Sequence, residues 1–444
     1  MAYKFVPTLS GTTLGALGAR GVATVDERGV LTMCDRGIDV EWMVGAESWR
    51  VVANDVATRQ QIVPGAPVVS TRIAAGSGDV VQTLYGVGGQ PNQIVCEFEN
   101  QGREAVSIAV LLRATPGARL KKFAAANPTL SIDGLEVMSA NRPWQQWALA
   151  NDELTLRQAV ATHATRAGPL NAVKMKAQRN GCVAFVWPLA HQNTLRVVLP
   201  LVPGPQSRVN TIAIDALPGS IAVLGGWETQ LERGMRVELD DSQLQAAIDG
   251  ARASVMLQAF ADAPKPDADL AMALEDWGLE PEARAAWNRL SVLERRTAAH
   301  RELNAVGGWV RVKTHLNAAG RGLPSNSARF LQAVRDTLLQ ERNGEIDLLA
   351  GFPSDWLGRS VAVHAAPTQA GPVSFALRWH GGRPALLWEA PQGTTLRSSR
   401  LDPAWSVVAD GPGEQLLSEP AGELLAMQPA PRLGDVVDEP GSFL

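Results

Sequence analysis

Cysteine is scarce. Cys34, Cys96 and Cys182 are the three in 444 residues, they lie far apart, and no Cys-x-x-Cys spacing occurs. A disulfide framework or cysteine zinc site is unsupported, and a reducing compartment, the cytoplasm, is the expected location. The six histidines, His163, His191, His300, His315, His364 and His380, show no His-Glu-x-x-His or comparable spacing, so no metal is expected. Gly15, Gly18 and Gly21 recur at spacing three, but without a strand-Gly-x-Gly-x-x-Gly-helix unit or a Walker sequence phosphate cradling is unsupported. A Gly-x-Ser-x-Gly elbow is also missing, and no cofactor is expected. No apolar run approaches the roughly 18 residues of a membrane span. The first residues, MAYKFVPTLSGTTLG, lack the charged start, long apolar run and cleavage site of a secretory signal. A net charge of −4 gives no reason to expect nucleic acid as a partner.

What is present describes a globular chain of two or three domains, 45% hydrophobic and 19% charged. Thirteen tryptophans stand against nine phenylalanines and two tyrosines, and indoles serve both cores and sugar rings. From Gly21 to about Glu238 the sequence is a series of short β signals separated by Gly, Pro, Asn or Asp. They include Ala66 to Ile73, Asp79 to Val87, Gln93 to Glu99, Ala105 to Arg113, Cys182 to Leu189, Thr194 to Val202 and Ser220 to Trp227. Such spacing predicts antiparallel sheets in a large sandwich, with Val106 to Leu112 central and the strands of Val80 to Glu99 wet on one face.

At Asp240 the period changes. Ser242 and Gln245 form a capping-box signature, and Leu244, Ile248, Ala251, Val255 and Ala259 make the stripe of an amphipathic helix. Further helices are expected at Leu270 to Trp277, after Pro281 with Ala283, Trp287, Leu290 and Leu293 inward, and at Asn326 to Arg342 with Phe330, Leu331, Val334 and Leu338 inward. Gly307, Gly308 and Trp309 suggest a hinge. The strands then return. Gly371 to Ala390 predicts a hairpin whose Gly381-Gly382 pair makes a type I′ turn, pairing Ser374 with Glu389 and His380 with Arg383. Phe375, Leu377, Trp379, Pro384, Leu386 and Trp388 form its core face, and Ser374, Arg378, His380, Arg383 and Glu389 its polar face. The fold class is therefore mainly β with an α segment. A sandwich domain over 1–239, a helical region over 240–344, a small β-domain over 345–412 and a loosely docked tail over 413–444 are expected.

The segments IDLLAGFPSDWLG, VAVHAAPTQAGPVSFALRWHG and RPALLWE, with IDVEWMVGAESWRVV and ATRQQIVPGAPVVSTRI nearer the start, resemble the ends of actinobacterial relatives of the six-hairpin glycosidases, the glycogen-debranching and glucoamylase-like group. The resemblance covers about half of the chain. It implies α-glucan chemistry inside a toroid of twelve helices, which needs at least about 200 residues. The helical interval is about half that bound, and no pair among Glu275, Asp276, Glu280, Glu282 and Glu294 stands out as acid and base. The expectation is a non-catalytic or degenerate relative acting in carbohydrate recognition, scaffolding or partner binding. Two alternatives stay open: an active glycoside hydrolase or transferase with its site at a domain seam, and a structural subunit of an oligomer.

The candidate carboxylates are Asp355 and Glu389. The candidate ligand contacts are Trp49, Trp356, Arg378, His380 and Arg383. Each also has a structural reading: a backbone-bonding turn for Asp355, an anchor for Trp356, and a cross-strand ion-pair ladder for the hairpin face. In the first sheet, Glu41, Trp42 and Glu47 join Trp49 in an acid-aromatic group, with Trp42 expected in the core and Trp144 and Trp147 in core or rim packing. A carbohydrate, a protein partner or a second copy of the chain are the expected partners.

Overall fold

Alternating side chains in β-rich segments produce what the periodicity predicts: a mainly β fold with a smaller helical part. The computed structural model describes residues 11–63, 65–89, 91–174, 181–202, 214–262, 264–298, 311–316 and 326–420; the expected hinge at Gly307 to Trp309 and residues 421–444 of the expected tail lie outside these. The chain divides into two compact units, Met1–Gly234 with Ala246–Arg301 and Thr314–Gln332, and Met235–Gln245 with Glu302–Lys313 and Ala333–Leu444.

In the first unit an eight-stranded and a nine-stranded antiparallel sheet enclose one apolar core. Strand Val106–Ala114 is central, pairing with Ile38–Gly45 on one side and Cys182–Leu189 on the other. Along Ile38–Gly45, Ile38, Val40, Trp42 and Val44 point into the core, where Trp42 meets Phe98 edge-on. Trp144 and Trp147 are buried there too. One of the spaced glycines is explained by packing: a side chain on Gly21 would meet the Leu201 carbonyl and the Asp35 carboxylate. Gly86 is needed as well, since a side chain there would strike the backbone of Gly15.

Ser220 to Trp227, read from the sequence as a strand, is part of a helix, Ser220–Leu231. A short continuous apolar run carries no period that separates strand from helix. This helix packs against the Gly78–Val87 strand. The face expected to be wet is covered in part: Val81, Tyr85 and Val95 are buried, while Thr83 and Glu97 are half-buried and Glu99 is exposed. A further helix, Glu153–Ala161, was not read from the sequence. Asp152 caps it by accepting from the Thr155 amide, and it lies on Gln146–Ala150 and Cys182–Leu189, closing a small second core.

Helix Ser242–Gln258 starts one residue earlier in chemistry than predicted. Asp241, not Ser242, accepts from the Gln243 and Leu244 amides, while Gln245 reaches back to the Leu239 amide. Replacing Asp241 with alanine is expected to cost about 1 kcal/mol, read as a lower denaturation midpoint. An unchanged midpoint would show that the cap contributes nothing. Beyond the predicted stripe the helix is buried nearly all round, since Arg252, Ala253, Ser254, Met256 and Leu257 are covered as well. Arg252 is tolerated because its guanidinium donates to the Leu231 and Arg233 carbonyls and lies 5.7 Å over the Trp277 ring. Leu293, expected to be inward, is exposed. The third helix ends at Arg289, and a new one begins at Val292.

In the second unit, Arg236–Leu239, Val361–Ala366, Val373–His380, Arg383–Glu389 and Gly413–Leu416 form a five-stranded antiparallel sheet. Leu339–Arg342, Glu345–Leu348, Thr395–Ser398 and Asp402–Val408 form a four-stranded one, with a parallel pair between its middle strands. Leu339–Arg342, where the sequence predicts the end of a helix, is a strand, and the helix stops at Leu338. Gly413–Leu416, read as the start of a tail, is a strand beside Ala385–Trp388. The hairpin has the predicted register from Ser374 opposite Glu389 to His380 opposite Arg383. Its turn differs: of the two glycines only Gly381 has a positive φ, +63°, the requirement of type II′ rather than I′.

Candidate functional site

The hairpin holds the largest group of predicted contacts together. Arg378, His380, Arg383 and Glu389 are all exposed and share the outward face fixed by the register. Among the described residues no ion pair joins any of them. Arg383 instead donates from Nε to the Leu417 carbonyl at 3.1 Å. In the same unit, the 3₁₀ turn Ser354–Trp356 carries the other pair. Asp355 is ion-paired with Lys313, which ties up its charge. Trp356 is buried and packs edge-on against Phe352, which also contacts Trp379.

Trp49 belongs to the first unit. A turn after Gly45 brings it back antiparallel, opposite Gly45, and its ring lies over that glycine. It is half-buried against the second core. Glu41 is buried and held by Arg157 through both carboxylate oxygens. Glu47 is exposed.

Two residues that sequence reasoning did not single out as a site come together in the second unit. Trp388 and Trp405 are both partly exposed, with ring centroids 5.5 Å apart and planes inclined at 56°. Alternation predicts Trp388 on the core face, and it does share the side of buried Phe375. It lies at the strand end, however, over Gly413 of the neighbouring strand, where a side chain would fall within 2.3 Å of its ring. Neither indole N–H has a hydrogen-bond partner among the described residues. The available signal was a tryptophan in the segment DPAWSVV after the hairpin, but nothing in the spacing pairs it with Trp388.

Electrostatic perturbation concentrates elsewhere, in the first unit. Asp35, in the turn before Ile38–Gly45, has its carboxyl pushed up to about 6, first by burial and then by the charge of Asp262, against the pull of Arg36. Asp262 is itself fixed, paired with Arg289 at 2.7 Å and donating its amide to the Arg20 carbonyl. The cysteines are buried; burial pushes the Cys34 and Cys182 thiols up to about 12, so they are poor nucleophiles. Among the described residues no cluster of three His, Cys, Asp or Glu side chains has the arrangement of a metal site, and no helix is long and apolar enough to cross a membrane.

No protein-family model matches this chain, and no curated protein matches it either. A solved structure described as a kojibiose phosphorylase from human microbiome is similar over 59% of this chain and 35% of its own, at 11% identity and a TM-score of 0.30. This chain thus spans about a third of that protein. A likeness at that level carries no argument about fold or activity.

Proposed function

We propose that the protein recognises carbohydrate, and that the second unit holds the binding surface. The observation that carries this reading is the Trp388–Trp405 pair. Indoles cover the apolar face of a pyranose ring while their N–H groups donate to its hydroxyls. Here two rings lie within one sugar's reach, partly exposed, with both N–H groups unclaimed among the described residues. The exposed Arg378, His380 and Glu389 lie on the other face of the same hairpin and point away from this pair.

Calorimetric titration with glycogen, linear α-glucans and a β-glucan tests the reading. Trp388→Ala and Trp405→Ala are each expected to weaken binding by about tenfold to a hundredfold, roughly 1.4–2.8 kcal/mol. Silence with every glycan, or variants that bind like the parent, would remove it.

A second reading, glycoside hydrolysis, is supported by one observation. Asp35, raised to about 6, lies in the range where a carboxylic acid donates a proton near neutral pH. Turnover of glucan or aryl-glycoside substrates that disappears in Asp35→Asn would favour it. Asp355→Asn and Glu389→Gln serve as comparisons, and absence of turnover in the parent counts against it.

A further inference from the structure

The two indoles reach each other from different sheets, Trp388 on Arg383–Glu389 and Trp405 on Asp402–Val408. A stacking platform needs a fixed mutual angle, because a ring free to swing loses entropy on binding. The element that joins the two strands is the segment from Gly413 to Ser418. Gly413 seats Trp388. Leu417 donates its amide to the Pro384 carbonyl at 2.9 Å and accepts from Arg383 Nε at 3.1 Å, which ties the segment to the strand carrying Trp388.

Asp402 supplies the link to the strand carrying Trp405. Its Oδ2 accepts from the Ser418 amide at 3.0 Å, and its Oδ1 accepts from the Ala404 amide at 3.2 Å, inside the turn that presents Trp405. The hydrogen bonds from Ser418, Ala404 and Trp405 hold this carboxyl below the usual range, Ser418 contributing most. An ionised acid with both oxygens so engaged is the right group here, since it only accepts and so can grip amides on two segments at once.

We infer that Asp402 is a positioning residue: its carboxylate clamps the Trp405 turn to Ser418 and thereby sets the angle between the two indoles. The inference rests on the carbohydrate reading above for its function, but its geometry can be read separately. Coupled indoles at this distance give a paired circular-dichroism signal, and Trp405→Phe assigns that signal by abolishing it. In Asp402→Asn one of the two acceptor oxygens becomes a donor, so the grip on either the turn or Ser418 is lost. Ser418→Pro removes the same hydrogen bond from its other end and leaves Asp402 intact.

Both variants are expected to lose most of the paired signal and to bind the best glucan about tenfold more weakly, equivalent to roughly 1.4 kcal/mol, while their melting transitions stay cooperative. If either folded variant keeps the parent's paired signal, the positioning role is overturned. If both lose the signal but the parent binds no glycan, Asp402 keeps its role in the pair and the carbohydrate reading fails.

Discussion

Replacing Arg157 with alanine is expected to destabilise the protein by about 3–5 kcal/mol. Glu41 lies in the middle of a sheet with its side chain 2% exposed, and Arg157 grips it from helix Glu153–Ala161 through Nε at 3.0 Å and Nη2 at 2.5 Å. The pair is part of a chain of charges. Arg157 also holds Glu153, and Arg113 joins Glu153 to Asp39, each at 3.1 Å. Burial has already raised the Asp39 carboxyl despite Thr32 and Arg113 beside it, so this layer has little solvent left to absorb an unpaired charge. Without Arg157, Glu41 must either stay ionised in the interior or take up a proton, and both cost free energy.

The same physics makes an opposite prediction for the double variant. Glu41→Leu with Arg157→Met removes both charges and leaves apolar surface beside Met43, Leu156 and Val160, which already form the small core there. It is expected to recover most of the lost stability, since buried pairs give back much of their attraction as desolvation. Denaturant titration of the parent, the single and the double variant reads the difference, with the single variant melting on the order of 10 °C lower. A single variant within about 1 kcal/mol of the parent would show that water reaches Glu41 and that the pair is an ordinary surface contact.

The parts of this fold that sequence reveals are those governed by local period. The hairpin register is legible because alternate side chains and a Gly-Gly turn fix each other: slipping one residue would turn Phe375, Leu377 and Leu386 out to water. Strand Cys182–Leu189 was legible for the same reason, being bounded by turn residues on both sides. The helix Ser220–Leu231 was not, since an unbroken apolar run fits either period. Helix Glu153–Ala161 was hidden among strands, although its Asp152 cap was visible. The candidate site divides along the same line. Exposure of Arg378, His380 and Arg383 follows from alternation, whereas the burial of Trp356 comes with Phe352 packing edge-on against it, a ring that Trp379 meets from the hairpin. The encounters of Trp388 with Trp405 and of Asp35 with Asp262 join residues distant in sequence, and no spacing rule encodes them.

Asp35 gives the second large effect, and its sign is opposite to that of Arg157. Its carboxyl is raised from 3.8 to about 6 by burial and by Asp262, so between those values the folded chain holds a proton that the unfolded chain has released. Stability from this group therefore falls as pH rises through that window. The penalty is absent below about 4 and complete above about 6. The shift would formally correspond to about 3 kcal/mol; solvent around a carboxylate that is only partly buried screens it to on the order of 1–2 kcal/mol. Asp35→Asn removes the buried charge and its repulsion by Asp262, and it gives up the weaker attraction of Arg36. The variant is expected to be more stable than the parent by that amount at pH 7.5 and equal to it near pH 4, when both are melted across the range. A parent that is the more stable of the two at pH 7.5 would mean that Arg36 outweighs Asp262 and burial together. Should the variant gain stability and lose a glycosidase activity in the same step, Asp35 would fit the pattern in which a strained charge is kept because the chemistry needs it.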